Sequence, residues 1–450
     1  MKASLVEETC ELITKLIQNK CVNPPGNEMR SIKTIEQFLG DRGIKSQVFE
    51  SAPNRGNLVA KIEGTEQGPN LMFGPSHVDV VPVDSPNDWQ ADPFGGEIID
   101  EHIYGRGSFD MLFIVATQLQ AFVKLHEENF EPKGDLILLC VADEEAGGVF
   151  GAEWVVKNHW DAIGQPTYAV TEAGGFSLAP GKFIFMIGEK GANWKRISFK
   201  GTPGHGSMPY KSDNAVQKAA LAITRLTDYS DSKLPRDTRY LDYLAKGLGR
   251  GFFSRLLLTK KRLLPITLKM IQRKDKQMAK VIHSLSQMTM SPNIVEGGLK
   301  TNIIPAQATI EVDIRTLPGQ DEEYVLTHLR KALGPLAKEA TITQKPLEEG
   351  GFLSYGNASP AASEFVGIME KTVQQEFPEA KLVPFMVMGG TDARFLREKG
   401  VEAYGFSLAD PQTPLSDLTD LMHGTNERVS IKTVELSLKA YYNLAKNALD

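Results

Sequence analysis

Apolar positions along the chain recur at two alternating spacings. Leu5, Leu12, Ile13, Leu16 and Ile17 share one side of an amphipathic helix at the amino terminus, and Ser31 to Leu39 predicts a second helix. SQVFE and NLVAKIE read as strands, and Leu71, Met72 and Phe73 lead a buried strand into PSHVDVVP. A loop rich in Pro, Asp and Gly runs from Pro82 to Gly107. Helical spacing resumes near Asp110, with Val115, Leu119, Phe122 and Val123 on one face. Strand DLILLCVA, a turn from Asp143 to Gly148, a helix from about Gly151 to Asn158 and strand TYAVTEAGG follow. This alternation predicts an α/β domain whose sheet is covered by helices on both faces.

The texture changes near Trp194. WKRISFKG reads as an exposed strand, followed by GTPGHGSMPY and a helix from about Asp213 to Leu226. Residues 228–290 are rich in Lys, Arg and Leu and mostly helical in pattern. Within them FFSRLLLTKKRLLPITLKMIQRK reads as an amphipathic surface helix pair packing on its own domain, with contact to a membrane or an anionic partner as the alternative. Strands around Asn293 to Val295 and at ATIEVDIRT, a helix from Glu322 to Leu333 and strand ATITQ complete a second α+β unit over residues 194–345. The chain then returns through a helix (Ala361 to Gln375), strand LVPFMVMGG, a helix (Ala393 to Lys399) and a last helix from about Lys432 to Ala448. The expected architecture is therefore a discontinuous first domain, residues 1–193 and 346–450, interrupted by the smaller one.

A chain of 450 residues suffices for two cores, and the formal charge of −6 argues against a nucleic-acid partner. Glu7, Glu8 and Glu11 interrupt the apolar core a signal peptide would need, and no run of about 18 apolar residues suggests a membrane span. The expectation is a cytoplasmic protein without a membrane partner. Cys10, Cys21 and Cys140 show no paired spacing, so neither a disulfide framework nor a thiolate zinc site is indicated. Cys140 reads as a buried strand thiol.

Acids and histidines fall just after the strand-like runs, where open α/β sheets place their ligands. They are His77 with Asp79, Asp110 in YGRGSFDM, the triplet Asp143, Glu144 and Glu145, Glu172 in TEAGG, and His423 in MHGTNE. Taken singly, Asp110 could cap the following helix, the acidic triplet could favour a helix start, and Glu172 and His423 could lie on the surface. Taken together they suit two divalent zinc-like ions. Two dications carry +4, which Asp110, Glu145, Glu172 and a metal-bound hydroxide would balance. One shared carboxylate would hold the ions about 3.5–4 Å apart. Of the adjacent Glu144 and Glu145, one can ligate while the other takes a proton from the bridging water.

SHVDVVP, DPFGGEI, YGRGSFDM, DEEAGG, TEAGG, GTPGHGSMP, TNIIPAQATIEVDIRTLPG, GGTDAR and HGTNE resemble, in order, the motifs of the M20 metallopeptidase family, over roughly residues 1–445. That family includes aminoacylases, carboxypeptidases, acetylornithine deacetylases and desuccinylases. The resemblance implies two zinc ions, with cobalt or manganese as alternatives. His77 and Glu172 would bind one, Glu145 and His423 the other, and Asp110 would bridge them. It implies Asp79 as the group orienting His77 and Glu144 as general base and later acid. The inserted domain resembles the family's lid, which implies a homodimer in which His205 reaches the partner's site and stabilises an oxyanion. Asn302, Arg315, Gly390 and Thr391 match substrate-binding positions, Arg315 as a fork for a carboxylate. The implied reaction is hydrolysis of an amide or peptide bond next to a free carboxylate, in an N-acyl amino acid or dipeptide. Cleavage of a carbamoyl or succinyl amide, or a catalytically silent binding protein, are the other readings. Ser76 stands where the family usually has Gly, and Leu112 and Phe113 replace a Lys-Gly pair.

Overall fold

The computed structural model describes residues 3–249, 251–346, 349–413 and 421–450. The fold is mixed α/β, in two compact units: residues 1–188, 359–385 and 391–450 form the larger, 189–358 and 386–390 the smaller. The smaller unit thus begins five residues before and ends thirteen residues after the expected 194–345, and it also takes in 386–390. Gly191–Ala192 pairs with Arg315 and Thr316, and Ser354 hydrogen-bonds to Ala192, which ties these flanks to the smaller sheet.

In the larger unit seven strands run in the order Ser46–Ala52, Arg55–Ile62, Leu136–Val141, Leu71–His77, Tyr168–Thr171, Glu402–Gly405 and Lys182–Glu189. Leu71–His77, Leu136–Val141, Tyr168–Thr171 and Glu402–Gly405 are mutually parallel. Their carboxyl ends therefore open on one edge, where His77 and the turn after Val141 lie. Ile137, Leu139 and Val141 join Ala152, Val155, Ala393 and Leu396 in a core on one face. Alternate side chains point the other way, toward the helix Phe113–Glu127, which packs on Leu71–His77 and Leu136–Val141. Twelve of that helix's fifteen residues are buried, so its apolar composition serves a core between the sheet and the helices Ala3–Gln18 and Ile431–Leu449. Cys140 is wholly buried, and burial pushes its thiol up to about 12.

Two elements depart from expectation. Gly174–Ala179 and Lys182–Glu189 form an antiparallel pair beyond TYAVTEAGG that the pattern does not predict. Helix after Asp110 starts at Phe113, because Ser108–Leu112 form an irregular turn with Asp110 and Met111 outside helical geometry. Leu112 and Phe113 are buried, and Phe109 stacks on both Phe113 and Phe176 at 5.7 Å. The apolar pair at this helix start is therefore core.

The smaller unit is an antiparallel sheet in the order Thr289–Gly297, Gln307–Thr316, Lys195–Lys200 and Ala340–Gln344. Lys195–Lys200 lies between two strands and alternates buried with half-exposed positions, so it is interior; the polar residues that suggested exposure occupy its other face. Helices Ala215–Ser232 and Glu322–Leu333 cover the buried face through Ala219, Leu226, Val325 and Leu329. Four short helices, Arg239–Gly247, Phe252–Thr259, Leu264–Gln272 and Lys276–Ser286, fill the basic stretch.

Candidate metal centre

The corner that carries His77 is built by a kink. The pairing of Leu71–His77 with Leu136–Val141 slips by one residue between Phe73 and Ser76. Gly74 has φ +120° and sits so close that a Cβ would lie 2.3 Å from the Leu139 carbonyl oxygen, so only glycine fits. Ser76 is buried and its hydroxyl donates to Gln118 Oε1 at 2.6 Å; Gln118 Nε2 donates to the Val170 carbonyl. A serine here thus gains a partner in the core helix that glycine would lack.

His77 Nδ1 faces the Asp79 carbonyl at 3.1 Å and its carboxylate at 3.5 Å. Donation to that carbonyl leaves Nε2 with a lone pair to offer. Asp79 is fully buried and accepts from Asn23 Nδ2 (2.8 Å) and from the amides of Glu144 (3.2 Å) and Glu145 (3.1 Å). One residue therefore fixes both, the imidazole chiefly through its backbone carbonyl and the acidic turn through its carboxylate. Although burial raises the Asp79 carboxyl, His77, Asn23 and the Glu145 amide outweigh it and hold it below the usual range.

The acidic triplet divides. Asp143 turns to Asn23, Arg55 and the Phe150 amide, in a structural network, while Glu144 and Glu145 face the site. Two groups of donors result, His77 with Asp110 and Glu172, and Asp110 with Glu145 and His423, each within 4.8 Å. Asp110 belongs to both and caps no helix. His77 Nε2 lies 3.4 Å from Asp110 Oδ1 and 3.6 Å from Glu172 Oε2; His423 Nε2 lies 3.4 Å from Asp110 Oδ2 and 3.1 Å from Glu145 Oε2.

Those separations discriminate between a hydrogen-bonded cluster and a metal site. Good N–H···O bonds span about 2.7–3.2 Å, shorter than three of the four. A tetrahedral zinc with bonds of about 2.0–2.1 Å holds its donor atoms roughly 3.3–3.4 Å apart. His77 Nε2 and Glu145 Oε1 are buried without a hydrogen-bond partner among the described residues, as groups reserved for a cation would be. The donor set and its spacing fit two dications.

Charge crowding gives the same answer. Burial and the nearby Glu172 push Glu144 well up, and burial pushes Glu172 up to about 7. Asp110 and Glu145 raise His423 to about 10. His77 is lowered by burial, but Asp110, Asp79 and Glu172 raise it well above its ordinary value. Without metal, protons do the neutralising that dications would do. Glu144 makes no side-chain hydrogen bond among the described residues, which leaves it available to a substrate water.

Several supporting residues escape a motif-by-motif reading. Glu427 is fully buried and accepts from the amides of Gly107, Phe109 and Asp110, each at 3.0 Å, and from Arg106 Nη1 at 2.8 Å. Arg106 in turn donates to the carbonyls of His423 and Gly424. This pair joins the shared Asp110 to His423. Both lie inside motifs already singled out, YGRG and HGTNE, and an acid four residues after a candidate ligand was the available signal. Asn23 carried none. Asp392 in GGTDAR is buried with neither carboxylate oxygen hydrogen-bonded among the described residues, and burial pushes it up to about 8.

The remaining predicted residues occupy other places. Thr391 is buried in the larger unit and its carbonyl accepts from Arg394 Nη1; Gly390 belongs to the smaller unit. In the smaller unit His205 is exposed, with Nδ1 2.7 Å from Ser207 Oγ, on a two-residue strand pairing with Ile303–Ile304. Asn302 is its neighbour, its carbonyl accepting from the Gly206 amide. Arg315 turns its fork on Asp313 of the same strand, at 2.8 and 3.3 Å.

An α/β fold with two histidine–carboxylate donor groups sharing one aspartate at the strand ends defines a dinuclear metallohydrolase class of site. The model of peptidase family M20/M25/M40 matches residues 75–447, and the chain belongs to that family. It is 26% identical over 404 residues to a protein named probable carboxypeptidase S-like 2 of Dictyostelium discoideum, covering 87% of this chain and 74% of that one. It is 25% identical to aminoacylase-1 of Sus scrofa, covering 93% and 89%. Among solved structures, the M20 family metallo-carboxypeptidase Sso-CP2 of Sulfolobus solfataricus superposes with a TM-score of 0.71 at 18% identity, covering 99% of both chains. The Bacillus subtilis YXEP protein, described as a dinuclear metal binding peptidase from the M20 family, gives 0.63 at 15% identity, covering 99% and 98%.

Proposed function

We propose that this M20-family hydrolase is a di-zinc enzyme cleaving an amide or peptide bond next to a free carboxylate, in N-acyl amino acids or dipeptides. The observation that carries this reading is the pair of donor groups sharing Asp110, with the unbonded carboxylate of Glu144 beside them. His77, Asp110 and Glu172 would hold one ion and Asp110, Glu145 and His423 the other. When bound, the ions supply Lewis-acid polarisation of the scissile carbonyl and acidify a water at neutral pH.

Glu144 takes the proton of the attacking water. Its carboxyl, pushed up by burial, is then matched to return that proton to the departing nitrogen. Asp79 holds His77 in the tautomer that presents Nε2, and Glu427 fixes the Asp110 backbone. His205 steadies the developing oxyanion from a partner subunit, Asn302, Gly390 and Thr391 line the substrate, and Arg315 exchanges Asp313 for the substrate carboxylate. The homodimer is supported by the sheet edge Thr289–Gly297 and the neighbouring helix Ala215–Ser232, which expose Ile294, Val295, Val216 and Leu221 together. The similarity of the chain to proteins named probable carboxypeptidase S-like 2 and aminoacylase-1 supports the substrate class.

Glu144→Gln tests the assignment on N-acetyl amino acids, dipeptides and their carboxamides. It should lower kcat about 10²–10⁴-fold with metal content unchanged, and the parent enzyme should strongly prefer free carboxylates. Unchanged turnover in the variant, or equal cleavage of carboxamides, overturns it.

A further inference from the structure

Residues 246–280 hold eleven Lys or Arg and one acid, Asp275, in a chain whose net charge is −6. Lys246 and Arg255 pair with Asp242. Lys260, Lys261, Arg262, Lys269, Arg273 and Lys274 have no ion pair among the described residues. The same stretch exposes bulky apolar side chains: Phe252 is 74% exposed, Phe253 77%, Ile266 61% and Met270 56%. Met208, Tyr210, Val295 and Leu299 are exposed elsewhere in this unit, so exposure alone does not single out the patch; its combination with a run of unpaired cations does.

The geometry explains why these residues point outward. Helix Leu264–Gln272 turns Leu264 and Thr267 inward, and Thr267 Oγ1 donates to the Leu257 carbonyl of helix Phe252–Thr259 at 3.0 Å. Ile266 and Met270, one turn apart, are left on the outer face beside that helix, whose Phe252 and Phe253 rings stand edge to face at 5.8 Å. Lys260, Lys261 and Arg262 fill the connection between the two helices. Two short helices occupy the expected stretch: Leu264–Gln272 buries Leu264 and Thr267 in its own unit, while no residue of Phe252–Thr259 is buried. The outward face repeats the amphipathic design with aromatic and aliphatic tips ringed by cations.

We propose that this helix pair, Phe252 to Lys274, docks on an anionic phospholipid surface. Phe252, Phe253, Ile266 and Met270 enter the headgroup–acyl boundary while the unpaired lysines and arginines meet lipid phosphates and carboxylates. Charge complementarity selects this occupant. A second copy would bring two like-charged clusters together. Nucleic acid would meet the cations and stack on Phe252 and Phe253, but would leave the aliphatic Ile266 and Met270 without a partner, which a lipid surface buries along with the rings. Such docking departs from the sequence expectation of no membrane partner, and being peripheral it needs no spanning segment.

The test is cosedimentation of the full chain with vesicles of phosphatidylcholine alone or with about one third phosphatidylserine. The protein should bind the anionic vesicles, release them as salt is raised, and ignore the neutral ones. Phe252→Ser with Phe253→Ser, and separately Lys260→Glu with Lys261→Glu and Arg262→Glu, should each weaken binding at least tenfold. Thermal midpoint and kcat/KM on a small soluble substrate should stay unchanged, which shows that the variants fold. No binding to anionic vesicles, equal binding to neutral ones, or unaltered binding by either folded variant overturns the proposal. So does a fall in oligomeric mass in the Phe variant, or charge-dependent binding of a DNA duplex without vesicle binding.

Discussion

Glu427→Gln is the sharpest probe of how the candidate centre is held. Glu427 Oε1 accepts from the Phe109 and Asp110 amides, and Oε2 from the Gly107 amide and Arg106. Glutamine keeps one oxygen and replaces the other with a donor, so two of the four bonds must fail whichever way the amide turns. The cheaper choice keeps the oxygen on Arg106, since stranding that buried guanidinium would cost about 3–5 kcal/mol. The Phe109 and Asp110 amides are then left facing an N–H, at about 1–3 kcal/mol per buried unsatisfied donor. Incomplete additivity puts the net loss at about 2–4 kcal/mol. Because Asp110 is the shared donor, metal affinity should fall about 10–100-fold. Urea unfolding of the metal-free variant reads the first effect, and titration against a competing chelator the second. A stability loss below about 0.5 kcal/mol with unaltered metal affinity would refute the idea that Glu427 organises this corner.

Three further outcomes follow, two from this geometry and one from the proposed dimer. In the metal-free protein His423 is raised to about 10, Glu172 to about 7 and Asp392 to about 8, so the folded state holds protons that the unfolded chain releases earlier. Raised groups contribute stability that is full below their unfolded pKa and lost as pH rises through the folded one, so the urea midpoint of the metal-free protein should fall between pH 5 and 9. A rising midpoint would contradict the charge crowding. Metal binding must displace those protons, so zinc uptake at pH 7 should release at least one proton, visible as a buffer-dependent calorimetric enthalpy; a buffer-independent enthalpy would count against it. Finally, His205→Ala and Glu144→Gln chains, each inactive alone, should regain activity when mixed into one dimer. In the proposed dimer the His205→Ala chain would keep its own Glu144 and borrow the partner's histidine. No recovery on mixing would place His205 outside catalysis across the dimer.

Local pattern made much of this molecule legible. His77, the acidic turn and Glu172 follow apolar runs, and in a largely parallel sheet such positions converge because the strand ends share an edge. Helix Glu322–Leu333 and strand Ala340–Gln344 fall where their periodicities place them. What escaped depends on contacts remote in sequence. The interior position of Lys195–Lys200 is set by strands more than a hundred residues away, and its polar alternate residues mimic an exposed strand. Lys182–Glu189 is a short continuous apolar run, which carries no periodic signature of its own. Glu427 serves amides over three hundred residues distant, so nothing in its neighbourhood shows that it is buried. The oddity at Ser76 resolves only once Gln118 is seen opposite it.

The most direct test is to strip the protein of metal and titrate zinc back while following hydrolysis of an N-acyl amino acid. Activity should vanish on stripping and return with a break at two equivalents per chain, because the two donor groups share Asp110. Full activity in the stripped protein, or saturation at a single equivalent, would contradict the two-metal account.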